Sequence, residues 1–286
     1  MVGRVGAVGL VLHPRRDCAL AVELVTRWAV SRGVDVFGVA GELDGVMGVQ
    51  LLEQHRIAEK VDLLVSLGGD GTMLRALRLA YHHGIAVLGV NLGKFGFLAE
   101  IDPPDLDEAL CSIAEERFEM ESRVAVQAVV GDTVRIAFND IALVRIPGRG
   151  QAAVGLVVDG QPFVRYVADA VVVSTPTGST AYSFSAGGPI VSPKAEGLLV
   201  VPVAPHSAFN RALMLACSEP LTLELLPSSG SLALEVDGEL LRTVEPGQRV
   251  ELLADVAAGS VIRLGATTFY QRAQRKLRLS DAAELG

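Results

Sequence analysis

The chain has 286 residues, room for one large domain or two ordinary ones, and 50% hydrophobic against 20% charged residues supplies a sizeable core and excludes global disorder. Its formal net charge of −8 argues against a nucleic-acid surface, so a phosphate-bearing ligand has to be held locally by amides, hydroxyls, a metal ion or a few arginines. The mean hydropathy is +0.40, but no apolar run reaches the roughly 18–20 residues of a spanning helix and no secretory pattern opens the sequence; the expectation is a cytoplasmic protein without membrane contact.

Residues 5–12 form a continuous apolar run, as expected of a strand buried on both faces. Leu20, Leu24 and Trp28 follow at helical spacing, with Glu23 and Arg27 four apart on another face. Residues 34–39 read as a second strand and 61–67 as a third, which runs directly into Gly68-Gly69-Asp70-Gly71-Thr72. A helix over 73–83 would place Leu74, Leu77 and Tyr81 on one face, and 85–91 makes a further strand. This alternation implies a parallel sheet with helices packed on it. Past Asp102-Pro103-Pro104, one more helix is indicated by Leu106, Ala109, Leu110 and Ile113. From Arg123 to about Ile262, short strands are broken by Gly131-Asp132, Pro147-Gly148, Asp159-Gly160, Ser229-Gly230 and Asp237-Gly238, the signature of layered β-sheets. The tail, 269–279, is basic and reads as a segment closing onto the first domain. The expected fold is an α/β N-terminal domain with a Rossmann-like parallel sheet (1–102, completed by 265–286) and an all-β C-terminal domain (103–264).

The Gly-Gly-Asp-Gly-Thr turn, between a strand and a helix, is a phosphate-binding arrangement. Glycines allow unusual backbone angles and let main-chain N–H groups face a ligand at the positive helix end, with Thr72 available as a cap. The carboxylate of Asp70 would repel phosphate, so its presence points to metal binding or to accepting a proton from a substrate hydroxyl. The bland alternative is a tight turn with an Asx-type hydrogen bond.

A second element spans 171–193, where an apolar β-branched run ends in hydroxylated residues and glycines without any charge. Ser174, Thr175, Thr177, Ser179, Thr180 and Tyr182 offer a hydroxyl cradle, and Gly187-Gly188-Pro189 bends sharply beside it. Buried hydroxyls need partners, and a polar ligand would supply them. Asp169, just upstream, could accept from an amine or a ribose hydroxyl. Two such elements suggest a nucleotide site assembled from both domains.

In order along the chain, the Gly68–Thr72 turn, Asn91-Leu92-Gly93 with Gly96-Phe97-Leu98, Asn139-Asp140, the 174–189 run, Pro205-His206-Ser207, Asp237-Gly238, Phe269-Tyr270 and Lys276-Leu277 resemble the NAD kinase family. Diacylglycerol, sphingosine and phosphofructo-kinases share versions of the first turn, but not its combination with Thr-Pro-Thr-Gly-Ser-Thr-Ala-Tyr. The resemblance implies a two-domain kinase with NAD between the domains, which moves the γ-phosphoryl of ATP, or of polyphosphate, to the 2′-hydroxyl of the adenosine ribose. It places Asp70 at that hydroxyl, and Gly71, Arg75, Asn139, Asp140, Asp169, Thr180, Ala181, Tyr182, Ser183, Phe184, Ser185 and Glu239 at the dinucleotide. It further implies Mg²⁺ as cofactor, for which no protein ligand is nominated, and a homo-oligomer, dimer or tetramer.

The chain departs from the family pattern at Val167, where an arginine is common, at Ala170, where glycine is usual, and at Ala208-Phe209-Asn210-Arg211-Ala212. A lipid kinase would not need the hydroxyl cradle, and a non-catalytic NAD(P) sensor would be expected to lose Asp70 or the Asn139-Asp140 pair. Other conspicuous residues take blander readings. Cys18, Cys111 and Cys217 form no CxxC pair and read as buried free thiols. His82-His83 diverge on a helix and read as an exposed end, Trp28 as core, His206 as a structural hydrogen bond, and the C-terminal cations as a solvated face.

Overall fold

Buried apolar runs that alternate with amphipathic segments can satisfy their backbones only by pairing side by side under helices, and the first third of the chain does so. The computed structural model describes residues 5–93, 96–206, 208–265 and 267–279. It has two compact units, one from Met1–Ser122 with Gly259–Gly286 and one from Arg123–Ala258. Among the described residues no helix is long and apolar enough to cross a membrane.

The first unit is built on β1 (Ala7–Leu12), α1 (Ala19–Arg32), β2 (Asp35–Val39), β3 (Gln50–Leu52), β4 (Leu63–Gly68), α2 (Asp70–Ala80), β5 (Ala86–Asn91) and α3 (Leu106–Ala114). The strands lie in the order β5-β4-β1-β2-β3, all parallel. Every residue of β4 and β5 is buried, and side chains such as Leu10, Leu63 and Leu67 each contribute about 2–3 kcal/mol through that burial. The short β3 has no sequence signal. In α1 the buried face is Ala21, Val22, Val25, Trp28 and Ala29, so the expected stripe through Leu20 is displaced and Leu20 is 64% exposed. Glu23 and Arg27 do pair, at 3.9 Å. Helix α2 begins at Asp70 itself, three residues before the expected start.

The second unit takes its strands from β6 (Glu119–Val130), β7 (Thr133–Ala137), β8 (Asp140–Arg145), β9 (Ala152–Val158), β10 (Gln161–Ala168), β11 (Ala170–Ser174), β12 (Gly197–Val203), β13 (Leu213–Ala216), β14 (Leu221–Leu225), β15 (Leu232–Val236), β16 (Glu239–Val244) and β17 (Arg249–Arg263). One antiparallel sheet runs β13-β12-β11-β8-β15-β16; the other strands of the unit include the antiparallel run β10-β9-β14-β17. Alternate residues form one core, with Ile141, Leu143, Val171, Val173, Leu198 and Leu234 from the first sheet and Val154, Leu156, Leu221, Leu223 and Val250 from the second group. The Asp159-Gly160 and Asp237-Gly238 hairpins have positive φ at both residues, as two-residue turns between twisted strands require.

The chain then returns to the first unit. The end of β17 pairs in parallel with β5, Ser260 opposite Ala86, and α5 (Phe269–Leu277) follows with a Thr268/Gln271 capping box. The units therefore divide after Ser122 and Ala258 rather than after 102 and 264. Helix α3 accounts for the first shift, because Leu106, Ala109, Leu110 and Ile113 are buried in the same core as α1 and the parallel sheet. Its sequence neighbours in the β-rich region do not share that core.

Candidate functional site

In the first unit the site residues gather where β4 hands over to α2. The Gly68 carbonyl accepts from Leu92 N–H at 2.8 Å, and the Leu67 carbonyl accepts from His13 N–H at 2.9 Å, which ties the ends of β1, β4 and β5 together. The glycines act differently from expectation, since none of Gly68, Gly69 and Gly71 has positive φ. Gly68 is needed for close approach: a Cβ there would overlap the Thr72 hydroxyl. Thr72 is thus buried inside the first turn and does not cap the helix; the N-cap is Gly69, in extended conformation. Among the described residues, and apart from the local backbone, no atom stands within 4 Å of where Gly69 or Gly71 would carry a side chain. Glycine at those two positions keeps main chain bare toward open space.

Asp70 turns its carboxylate onto the loop after β5. Its Oδ2 accepts from Phe97 N–H and its Oδ1 from Leu98 N–H, each at 3.0 Å, and Lys276 Nζ lies 3.5 Å from Oδ2. A Cβ on Gly96 would overlap this carboxylate, so the loop can close on it only with glycine there. A carboxylate has about four lone-pair positions. Two amides and an ammonium therefore leave roughly one for a substrate hydroxyl. Lys276 also sits 4.4 Å over the Phe97 ring, and Phe269 lies 6.5 Å from Phe97, so α5 docks on this loop through a cation and an aromatic ring. The basic tail does pack on the first unit, and apart from the buried Arg272 its cations are exposed as expected, with Lys276 also reaching toward the Asp70 carboxylate.

Behind the loop stand two buried arginines. Arg263 donates to the Leu98 carbonyl at 3.1 Å and lies 3.6 Å from Glu100 and 3.5 Å from Glu121. Arg272 donates to the Thr267 carbonyl at 2.6 Å; burial, then the neighbouring Arg263 charge, lowers its pKa to about 10. Gly71 is exposed in the first turn of α2. Arg75 is committed elsewhere, gripping Glu42 through both terminal nitrogens at 2.7 and 2.9 Å and donating to the Leu12 carbonyl at 2.8 Å.

In the second unit, Asn139-Asp140 opens β8, and one side chain fixes that entry. Asp237, in its hairpin turn, accepts from the N–H groups of Phe138, Asn139 and Asp140 at 3.2, 2.7 and 3.3 Å. The Asp140 carboxyl is buried and its pKa is pushed up to about 7, first by burial and then by the charges of Asp237 and Glu235; a hydrogen bond from the Tyr182 amide works the other way. The Tyr182 phenol is likewise raised, by burial first and then by Glu235, Asp140 and Asp169. Asp169, where β10 passes into β11, is half-buried and pairs with Arg145 at 2.7 Å. A cation from the neighbouring strand β8 thus meets the aspartate that lacks an arginine at 167.

The hydroxyl-rich loop is largely its own partner. Ser174 Oγ donates to the Thr175 carbonyl, Thr175 Oγ1 to the Phe138 carbonyl at 2.6 Å, and Ser179 Oγ to the Pro176 carbonyl at 2.7 Å. Thr180 Oγ1 bonds the Thr177 carbonyl at 3.4 Å. The argument that these hydroxyls call for a ligand therefore fails for most of them. Among the described residues, only the buried Thr177 Oγ1 and Ser183 Oγ of this loop are left without a partner. Gly178 presses on the Asn139 main chain, where a Cβ would overlap it. This contact brings Asn139, Asp140 and α4 (Tyr182–Ser185) together, with Thr180 and Ala181 half-buried beside it and Ser183 beneath. Phe184 and Ser185 are exposed, and Glu239 is exposed at the start of β16.

Sequence reasoning missed the donors around Asp70, namely the Phe97 and Leu98 amides and Lys276, and the acid Glu235 beside Asp140. Phe97, Leu98 and Lys276 stand in the motifs that carry the family resemblance but without an expected role at Asp70, while Glu235 left a trace only as the polar alternate of a strand whose Leu232, Leu234 and Val236 are buried. His206 is exposed and donates its main-chain N–H to the Val167 carbonyl at 2.7 Å; Ser207 lies outside the described residues. His82 and His83 are exposed past the end of α2. All three cysteines are free, but only Cys18 is buried, the others being half-buried.

Models of the ATP-NAD kinase N-terminal and C-terminal domains match residues 48–118 and 138–264. NAD kinase 1 of Streptomyces avermitilis is 38% identical, over 96% of this chain and 88% of its own, and the NAD kinase of Rhodococcus erythropolis is 40% identical over 76% and 71%. The crystal structure of yeast NADH kinase complexed with NADH superposes with a TM-score of 0.85 at 27% identity, covering 96% of this chain and 88% of that one. An NAD kinase from Archaeoglobus fulgidus in complex with ATP superposes at 0.76 and 23% identity, covering 95% and 98%, which is a likeness of fold.

Proposed function

The chain belongs to the NAD kinase family, and on that premise we propose that it transfers the γ-phosphoryl of ATP to the 2′-hydroxyl of the adenosine ribose of NAD, giving NADP. The observation that carries this reading is the Asp70 carboxylate. It stands at the first turn of α2, beside bare glycine main chain, with its donors arranged so that one acceptor position remains. A ribose hydroxyl is too weak an acid to ionise near neutral pH, so its proton passes to Asp70 as the bond to phosphorus forms. The bond between the γ-phosphorus and the bridging oxygen breaks in the same displacement, and the nucleoside diphosphate leaves with that electron pair. A positioned carboxylate contributes about 10²–10⁴ in rate; alignment and charge stabilisation supply the remainder. The Lys276 ammonium puts positive charge where the transfer concentrates negative charge.

Mg²⁺ fits this site as a partner of the donor's phosphates. Among the described residues no group of three or more His, Cys, Asp or Glu converges to cage a metal, so Mg²⁺ would be held chiefly by the donor's phosphate oxygens and water, leaving the open position of Asp70 to the hydroxyl. When bound it neutralises phosphate charge.

In this reading Asn139, Asp140, Asp169, Glu239 and the loop from Thr180 through Ala181, Tyr182, Ser183 and Phe184 to Ser185 hold NAD, together with Gly71. Support comes from the unpaired Thr177 and Ser183 hydroxyls and from Asp140, whose carboxyl can donate or accept a proton near pH 7. Arg75 serves by bracing α2 against the end of β1. A cytoplasmic location and assembly into dimers or tetramers go with the same reading. The test is NADP formation from NAD, ATP and Mg²⁺ by the purified chain, read with an NADP-specific dehydrogenase. Binding of NAD without any product would replace the kinase with a sensor.

A further inference from the structure

The loop that follows β5 is held at each residue from 97 to 101, and its rear anchor is a buried charge. At its front, Phe97 and Leu98 donate their N–H groups to the Asp70 carboxylate. At its base, the Gly89 carbonyl of β5 accepts from the Glu100 and Ile101 N–H groups, each at 3.2 Å, and a Cβ on Gly89 would press on the Ala99 α-carbon. At its back, Arg263 Nη1 donates to the Leu98 carbonyl at 3.1 Å. Leu98 is therefore gripped on both sides, its amide by the aspartate and its carbonyl by the arginine. Peptide groups are planar, so fixing the direction of that carbonyl limits the directions open to the amides before it.

Arg263 is the last residue of β17, which pairs with β5 at Val261 opposite Val87, so the strand itself delivers the guanidinium behind the loop. Its side chain is only 9% exposed. Nη1 stands 3.6 Å from Glu100 Oε2 and Nε 3.5 Å from Glu121 Oε2, and the Glu100 carboxylate also accepts from the Leu264 N–H at 3.4 Å. Replacing a buried ion pair by apolar side chains is often neutral or stabilising, so stability alone does not account for a guanidinium here. What it adds is direction. Its planar fork fixes several bonds at once, and a charge-assisted bond to a carbonyl is roughly twice as strong as a neutral one. Arg272 of α5 stands among the same charges, those of Arg263, Glu100, Glu121 and Asp70, one helical turn before Lys276. The network thus backs both the loop and the helix that hold the Asp70 carboxylate.

We propose that Arg263 is a positioning residue for the phosphoryl transfer: braced on Glu100 and Glu121, it holds the Leu98 carbonyl, aims the Phe97 and Leu98 amides, and so keeps the open position of the Asp70 carboxylate directed at the substrate hydroxyl. The proposal rests on the kinase reading and goes beyond it by tracing the aim of Asp70 to a residue that acts through the loop. Misplacing a reacting group by about 1 Å costs roughly 10²-fold in rate, so this contact acts on kcat far more than on binding.

In the full chain, Arg263→Met should lower kcat by about ten- to hundredfold, with the KM for NAD and for ATP constant within about threefold. That change leaves two acids without their guanidinium, so the paired variant Arg263→Met with Glu121→Gln, which removes one charge of each sign, serves where the single variant does not fold. Its Tm should return toward that of the wild type while kcat stays low. Recovery of kcat along with Tm would overturn the proposal, as would a loss of NAD affinity as large as the loss of kcat. Arg263→Lys keeps the charge without the fork and should retain several-fold more activity than the methionine variant. Hydrogen exchange at the Phe97 and Leu98 amides gives a readout independent of turnover: in the paired variant both should exchange about fivefold faster or more, with the β4 amides unchanged. Unchanged protection at both amides would overturn the proposal. If the wild-type chain made no NADP from any donor, the kinase reading would fail, while the exchange rates would still decide whether Arg263 aims the loop.

Discussion

Asp70 and Asp140 are both carboxylates set beside loops of small residues, yet the first unit surrounds its aspartate with donors and the second surrounds its aspartate with acids. Two amides and an ammonium converge on Asp70. Asp140 is buried next to Asp237 and Glu235, with one amide in its favour, and holds its proton to about pH 7. The environments suit the two carboxylates to different roles. A carboxylate fixed by donors is a ready, well-aimed acceptor, whereas one crowded by like charges keeps its proton to higher pH and, while protonated, can donate to an uncharged part of a ligand.

The strongest way to break this contrast is Asp70→Asn, which should lower kcat by about 10²–10⁴ while leaving the Kd for NAD unchanged. Because an amide would point its NH₂ at a main-chain N–H of Phe97 or Leu98, the variant should also lose about 1–3 kcal/mol of stability in urea melts. Lost NAD binding with normal turnover would remove Asp70 from the chemistry. Asp140→Asn probes the opposite environment. The folded-state pKa of about 7 lies above the ordinary 3.8, so between those pH values the folded state binds the proton more tightly. Wild-type stability therefore falls as pH rises through that window and levels off above it, by at most a few kcal/mol. The asparagine variant should be spared this loss, its advantage in melts growing from about pH 4 to about pH 7.5; a constant difference would contradict the buried acid.

Thr175→Val removes a hydroxyl that donates to Phe138 and accepts from Gly178. It should lower stability by about 1–2 kcal/mol, whereas Thr177→Val, at an unpaired hydroxyl, should instead weaken NAD binding. Equal effects of the two changes on NAD affinity would restore the cradle reading of the whole loop. The smallest effect is expected at Lys276→Met, about a five- to tenfold loss in kcat with KM for NAD steady, and Lys276→Arg should recover most of it. A loss that arginine fails to recover would mean that Lys276 acts by packing on Phe97 rather than by charge.

The parallel sheet, α2 and α3 were legible because their signals are local: apolar runs of the right length, and Leu106, Ala109, Leu110 and Ile113 at helical spacing. The turn at Asp70 was legible for the same reason, since a strand, glycines and a helix are contiguous. Features that depend on distant parts of the chain were not. Lys276 meets Asp70 only because α5 folds back, and the boundary after Ser122 depends on which core α3 joins. The hydroxyls near 175 misled because their partners are main-chain carbonyls, which every residue has and no sequence advertises. Leu20 misled because two faces of α1 are apolar and only packing against the sheet chooses between them.

The division of the chain also has a consequence for synthesis. The second unit is one uninterrupted stretch, Arg123–Ala258, whereas the first is assembled from Met1–Ser122 and a returning segment that begins at Gly259. As the polypeptide emerges, the β-rich unit has all its parts before the α/β unit does. The glycine turn and its carboxylate exist early, but the ammonium that faces them arrives on α5, after the whole second unit. A chain interrupted anywhere before that helix would expose an acidic turn without its counter-charge, so the order of translation itself withholds the finished Asp70 turn until α5 has been made.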